Sequence, residues 1–185
     1  MAVRKILLYP EYKTELRKKS TQVTTVNKHV KTMIMDLKDT LETHSDGVGL
    51  AAPQINVHKR IVIVRLSTTK PDEEWEPGPS VALVNPEIIA AREFRKDFDG
   101  CLSFPDLYGE TIRPHYLQVT GFDEHGRPLN QTFNNFNAVL VHHEIDHLEG
   151  VLFIDRVQGI EDLYRIKQDQ NGDMVRVPIS LLPMQ

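Results

Sequence analysis

The stretch "VHHEIDHLEG", residues 141–150, places three histidines and two acids within six consecutive positions. On a helix, residues four apart lie about 40° apart in azimuth and ~6 Å apart along the axis, so His143 and His147 can address one ion. His142 is turned about 100° away from that face. Glu144 lies beside it, where a carboxylate can reach a water on the metal without displacing it. The spacing therefore predicts a metal site with Glu144 as general base. The competing reading is a solvated helix with incidental histidines. Against it, Leu140, Ile145 and Leu148 interleave with the polar positions, and polar groups on a buried helix need partners.

Two histidines leave a catalytic metal one protein ligand short. Downstream, Glu149, Asp155, Glu161 and Asp162 offer oxygen, and upstream the lone cysteine, Cys101, stands in "DGCLSFP". One cysteine excludes an intramolecular disulfide and fits a reducing compartment. Such a thiol most often behaves as a small buried hydrophobe. Beside the flexible Gly100, however, a thiolate could also approach a metal closely.

The elements that must position these groups are legible in outline. Apolar residues at Val26, Val30, Met33, Ile34, Leu37 and Leu41 form one helical stripe, with Thr24 or Thr25 placed to cap it. A second helix is predicted from about Asn135 to Glu149, stopped at Gly150, and it carries the histidines. "RIVIVRL" from Arg60, "SVALVN" from Ser80 and "YLQVTGF" from Tyr116 read as strands, the last joined through the turn "DEHGRP" to "LNQTF" as a hairpin. Residues 68–80, rich in acid and proline, read as an exposed loop, and residues 167–185 give no single assignment. The predicted fold is α+β, with mixed or antiparallel sheets wrapped around the central helix.

A chain of 185 residues, 40% hydrophobic and 26% charged, fits one soluble domain spanning 1–185. Its net charge of −4 points away from DNA as a partner. The longest apolar runs fall far short of the ~20 residues that cross a bilayer, and the N-terminus lacks a signal-peptide core, so no membrane association is expected.

Three segments together resemble the motifs of the peptide deformylases: "GVGLAAPQ" at residues 47–54, "DGCLS" at 99–103 and "HEIDHLEG" at 143–150. Their order and spacing match that family over residues 3–157. The resemblance implies that Cys101, His143 and His147 hold the metal and that Glu144 is the acid/base. Gln54, through its side-chain amide, and Leu102, through its backbone N–H, would stabilise the oxyanion. It implies Fe(II) as the ion, with Zn(II), Ni(II) or Co(II) as substitutes. The implied reaction removes the N-formyl group from the formyl-methionyl N-terminus of nascent polypeptides: a water held by the metal attacks the formyl carbon and formate leaves. Val139 and Leu140 share a helix face with His143 and could line an apolar pocket for the methionine side chain. Gly47, Val48 and Gly49 could offer backbone to an extended peptide as an added strand.

Two positions depart from the family's pattern: Asp99 stands where Glu is usual, and His142 where Gln is common. Neither removes a ligand or the base. The absence of a presequence points to a bacterial cytoplasmic setting, although a trimmed organellar form would look similar. A transient ribosome contact is possible, but Arg165 and Lys167 alone are too few to indicate one. A zinc endopeptidase using the same helix is one alternative, opposed by Cys101 and Gln54. A non-catalytic metal-binding or chaperone-like relative is another, opposed by Glu144.

Overall fold

A computed structural model of the chain describes residues 2–69 and 73–179. In chain order its helices are α1 (Lys13–Leu16), α2 (Lys28–Glu42) and α3 (Phe136–Leu148). Its strands are β1 (Gly49–Ala51), β2 (Ile61–Arg65), β3 (Ser80–Gly100), β4 (Tyr108–Phe122), β5 (Pro128–Asn134), β6 (Leu163–Gln168) and β7 (Met174–Pro178). All strand pairings are antiparallel, in the order β1-β2-β3-β4-β6-β7, with β5 also on β4. The sheet curls around α3, as the α+β expectation required.

The stripe on α2 behaves as its spacing predicts: Val30, Ile34, Leu37 and Leu41 are buried, packed with Leu50, Ile61 and Ile63 of β1 and β2. Its cap differs from expectation. Asn27, not Thr24 or Thr25, precedes the first helical residue, and its side chain accepts from the Val30 N–H at 3.0 Å. The cap must stand directly before the first turn to reach these donors, and Asn serves there at least as well as Thr.

α3 is not amphipathic. Every residue from Ala138 to Leu148 is buried, its apolar members packed against Val62, Val64, Leu117, Val119 and Phe133. A helix enclosed on all sides must find internal partners for each polar group it carries. It ends at Gly150, whose φ of 72° is left-handed and where a Cβ would lie 2.2 Å from the Arg17 carbonyl oxygen.

β3 and β4 extend well beyond the predicted strands, β3 by fifteen residues past Asn85 and β4 by eight before Tyr116. The added part of β3 is mostly exposed and lacks alternation, so pairing with β4 rather than burial holds it. The β4–β5 hairpin stands as predicted. Within the predicted loop, Trp75 donates from its indole N–H to the Asn137 side chain at 3.0 Å, tying that segment to the start of α3. Residues 70–72 of the loop lie outside the described residues. The tail without a predicted assignment supplies the end of β6 and all of β7, a hairpin that β6 joins to β4 through Tyr108 and Tyr164, and residues 180–185 also lie outside the described residues.

Candidate metal centre and catalytic site

Three elements converge on one buried point: the segment after β3, the first turn after β1, and the middle of α3. Cys101 Sγ and one ring nitrogen each of His143 and His147 lie within 4.8 Å of one another. The thiol is 3.3 Å from His147 Nε2. A soft thiolate with two imidazoles suits first-row transition ions, and three protein ligands leave a position open as catalytic sites require. Three of the four downstream acids take other partners. Asp155 pairs with Arg17, Glu149 with Arg60, and Asp162 with Lys96.

His143 Nδ1 meets Asp99 Oδ1 at 2.6 Å. A carboxylate there fixes the ring proton on Nδ1 and leaves Nε2 with its lone pair. Burial opposes a positive charge on His143, yet Asp99 and then Cys101 raise its pKa well above the ordinary histidine value. Burial pushes His147 down to about 3, so its ring is neutral and able to bind a cation. Metal binding in this set must therefore displace protons.

Glu144 sits enclosed on the same helix. Burial pushes its carboxyl up to about 7, opposed mainly by His143. Its Oε2 is buried without a hydrogen-bond partner among the described residues, which is the state of a group poised for something outside the protein. Gly49 makes room for it: a Cβ there would stand 2.2 Å from Glu144 Oε1 and 2.9 Å from Leu140 Cδ1.

Gln54 lies in the turn Ala52–Ile55 immediately after β1 and is 1% exposed. Its Oε1 accepts from the Ala51 N–H at 2.8 Å, which fixes the amide orientation. Its Nε2 donates to Ser103 Oγ at 3.1 Å and stands 3.5 Å from Cys101 Sγ. Leu102 follows the thiol, and its N–H meets no backbone acceptor among the described residues.

The glycine-rich segment divides. Arg65 N–H donates to the Val48 carbonyl, so Val48 and Arg65 form a hydrogen-bonded pair, and by antiparallel alternation Gly49 turns its N–H and C=O to the open edge of β1. Gly47 is engaged otherwise: its N–H donates to the His44 carbonyl and its carbonyl accepts from Arg65. Gly47 thus differs from Gly49 in having internal partners for both of its backbone groups. Val139 and Leu140 are 2% and 5% exposed, and Leu140 Cδ1 stands beside Gly49, where a Cβ would meet it.

The polypeptide deformylase family profile matches residues 3–162. The chain belongs to that family. A peptide deformylase of Thermomicrobium roseum is 39% identical over 172 residues, 92% of this chain and 94% of the relative. A crystal structure of a peptide deformylase from Legionella pneumophila, 35% identical, superposes with TM-score 0.73 over 85% of this chain and 87% of that one. A Met-Ala-Ser-bound deformylase structure from Acinetobacter baumannii, 30% identical, superposes with TM-score 0.75 over 84% and 99%. Among the described residues of this deformylase-family chain, no helix is long and apolar enough to cross a membrane.

Several residues around the site escape motif reading. Arg113, fully buried on β4, pairs with Asp99 and Asp146, and Thr111, two positions earlier on the same strand face, donates to Asp99 Oδ2 at 2.8 Å. Burial opposes the charge on Asp99, but His143 and Arg113 hold its carboxyl well below the usual range. Only the inward period of two along Gly109, Thr111 and Arg113 could have flagged this arginine, because nothing near it in sequence belongs to a motif.

Proposed function

We propose that this deformylase-family enzyme removes the N-formyl group from formyl-methionyl nascent polypeptides as a single catalytic domain, with Glu144 carrying the proton between water and the departing amine. The convergence of Cys101, His143 and His147 beside a buried Glu144, whose Oε2 has no hydrogen-bond partner among the described residues, carries the reading. A metal held by those three side chains would acidify water and polarise a carbonyl oxygen when bound. Fe(II) is the proposed ion on family grounds, since the donor set accepts several first-row metals alike.

The protein's own groups account for the remaining steps. Glu144 accepts a proton as water oxygen bonds to the formyl carbon, a role suited to a carboxylate whose pKa lies near neutrality. As negative charge develops on the formyl oxygen, the Gln54 amide and the Leu102 N–H donate to it. The carbon–nitrogen bond then breaks, Glu144 passes its proton to the amine nitrogen, and formate departs. The peptide extends along the open edge of β1 and pairs with Gly49, while Val139 and Leu140 form the wall against which the methionine side chain packs. The Met-Ala-Ser bound to the Acinetobacter baumannii relative is a peptide of that kind. Action on nascent chains implies a cytoplasmic setting and only a transient approach to the ribosome.

Formate release from formyl-Met-Ala-Ser by the parent and by Glu144→Ala tests the reading. The parent should turn over and the variant should lose at least about 10²-fold. Equal rates, or none from either, would overturn it, and cleavage of internal bonds in unformylated peptides without formate release would favour the endopeptidase alternative. Metal analysis of anaerobically purified protein with reconstitution tests the ion, and turnover supported by zinc alone would refute Fe(II).

A further inference from the structure

Arg113 has no exposed side-chain surface, yet it belongs to none of the three motifs. Its guanidinium lies between the end of β3, which carries Asp99 two residues before Cys101, and the face of α3 that carries His142 and Asp146. On one side Nε and Nη2 donate to Asp99 Oδ2 at 2.9 and 2.8 Å. On the other Nη1 donates to His142 Nδ1 at 2.7 Å and to Asp146 Oδ2. Asp99 divides its oxygens, because Oδ1 is occupied by His143 Nδ1 at 2.6 Å. Asp146 is held from outside by Arg156, whose Nη2 donates to Oδ1 at 2.6 Å.

We propose that Arg113 is a positioning residue that locks the thiol-bearing segment to the imidazole-bearing helix, with Asp99 and His142 as sterically matched acceptors on its two sides. This rests on the reading of Cys101, His143 and His147 as the metal site. The guanidinium is planar and rigid, so seating its Nε/Nη2 edge on Asp99 fixes where Nη1 points. At that place His142 presents a ring nitrogen with its lone pair inward, which requires the ring proton on Nε2. The contact is already at hydrogen-bond distance, and the interior around it is closed. A carboxylate one methylene longer at position 99 would drive the guanidinium into a ring that cannot yield. A glutamine at 142 still accepts a hydrogen bond and, having more rotatable bonds, can give way. Lysine at 113 keeps the charge but cannot span both sides.

The Co(II)-loaded protein provides a test that needs no substrate, through the thiolate-to-cobalt absorption band and competition with a chelator. Arg113→Lys and Asp99→Glu should each weaken Co(II) retention by about 10- to 100-fold and alter the band. His142→Gln alone should change retention by less than about threefold, and the Asp99→Glu/His142→Gln pair should recover most of the Asp99→Glu loss. With formyl-Met-Ala-Ser, the Asp99→Glu loss should appear in kcat rather than KM. Should Arg113→Lys fail to fold, the Asp99 and His142 variants alone decide. A double variant that loses as much as the product of the singles, or an Asp99→Glu protein with the parent's band and affinity, overturns the proposal. Because the band and the chelator competition need no substrate, they stand whether or not the parent releases formate.

Discussion

Glu144 and Gly49 form one unit. The carboxylate is buried with one oxygen unpartnered, and the space it occupies exists only because position 49 has no side chain. Gly49→Ala should push the carboxylate aside and lower formate release on the order of 10²-fold, the scale of a 1 Å misplacement, with metal content unchanged by elemental analysis. Gln54→Ala should lower kcat by about 10²- to 10³-fold with little change in KM, as loss of one oxyanion donor does, and steady-state kinetics on formyl-Met-Ala-Ser would show it. His142, conspicuous in the sequence, is explained by a neighbour that no local pattern names. Burial pushes its pKa down to about 4, so the ring is neutral and can accept from Arg113.

At the level of elements, helices were easier to read than strands. The α2 stripe and the His143/His147 spacing show in sequence because helical periodicity puts partners four residues apart. The extension of β3 through residues 86–100 does not, since those residues are held by pairing with β4 and carry no burial pattern of their own. The β4–β5 turn was legible through Asp123, which accepts from the His125 and Arg127 backbone N–H groups, each at 2.9 Å. These bonds, with the Arg127 side chain, hold its carboxyl down to about 2. A depressed carboxyl contributes stability above its unfolded pKa of roughly 4 and loses it as pH falls through the folded value. The stability gap between the parent and Asp123→Asn should therefore close as pH drops from about 4 to about 2, measured by urea unfolding at each pH.

For the whole molecule, the sheet closes around a helix whose two imidazoles meet a thiol carried in from the segment after β3. Any ion that binds this folded arrangement and not the unfolded chain stabilises it, by about 4 kcal/mol when free metal exceeds Kd a thousandfold. Chelation should lower the thermal midpoint and zinc or cobalt restore it; an unchanged midpoint would show that the site does not couple to folding.

The sequence by itself determined the donor types, the helical spacing of His143 and His147, the place of Glu144 beside them and the family, because each depends on spacing along one element or on motifs a few residues long. Only the tertiary structure brought Cys101 within reach of the two imidazoles, turned the Gly49 backbone to the open edge of β1, and set Asp99 and His142 on the two sides of Arg113. The reason is physical: helical and strand periods relate residues within an element, whereas Cys101, Gln54 and Arg113 reach the site through sheet register and the packing of α3. Those long-range relations are set by how buried polar groups satisfy one another across elements, which no local pattern records.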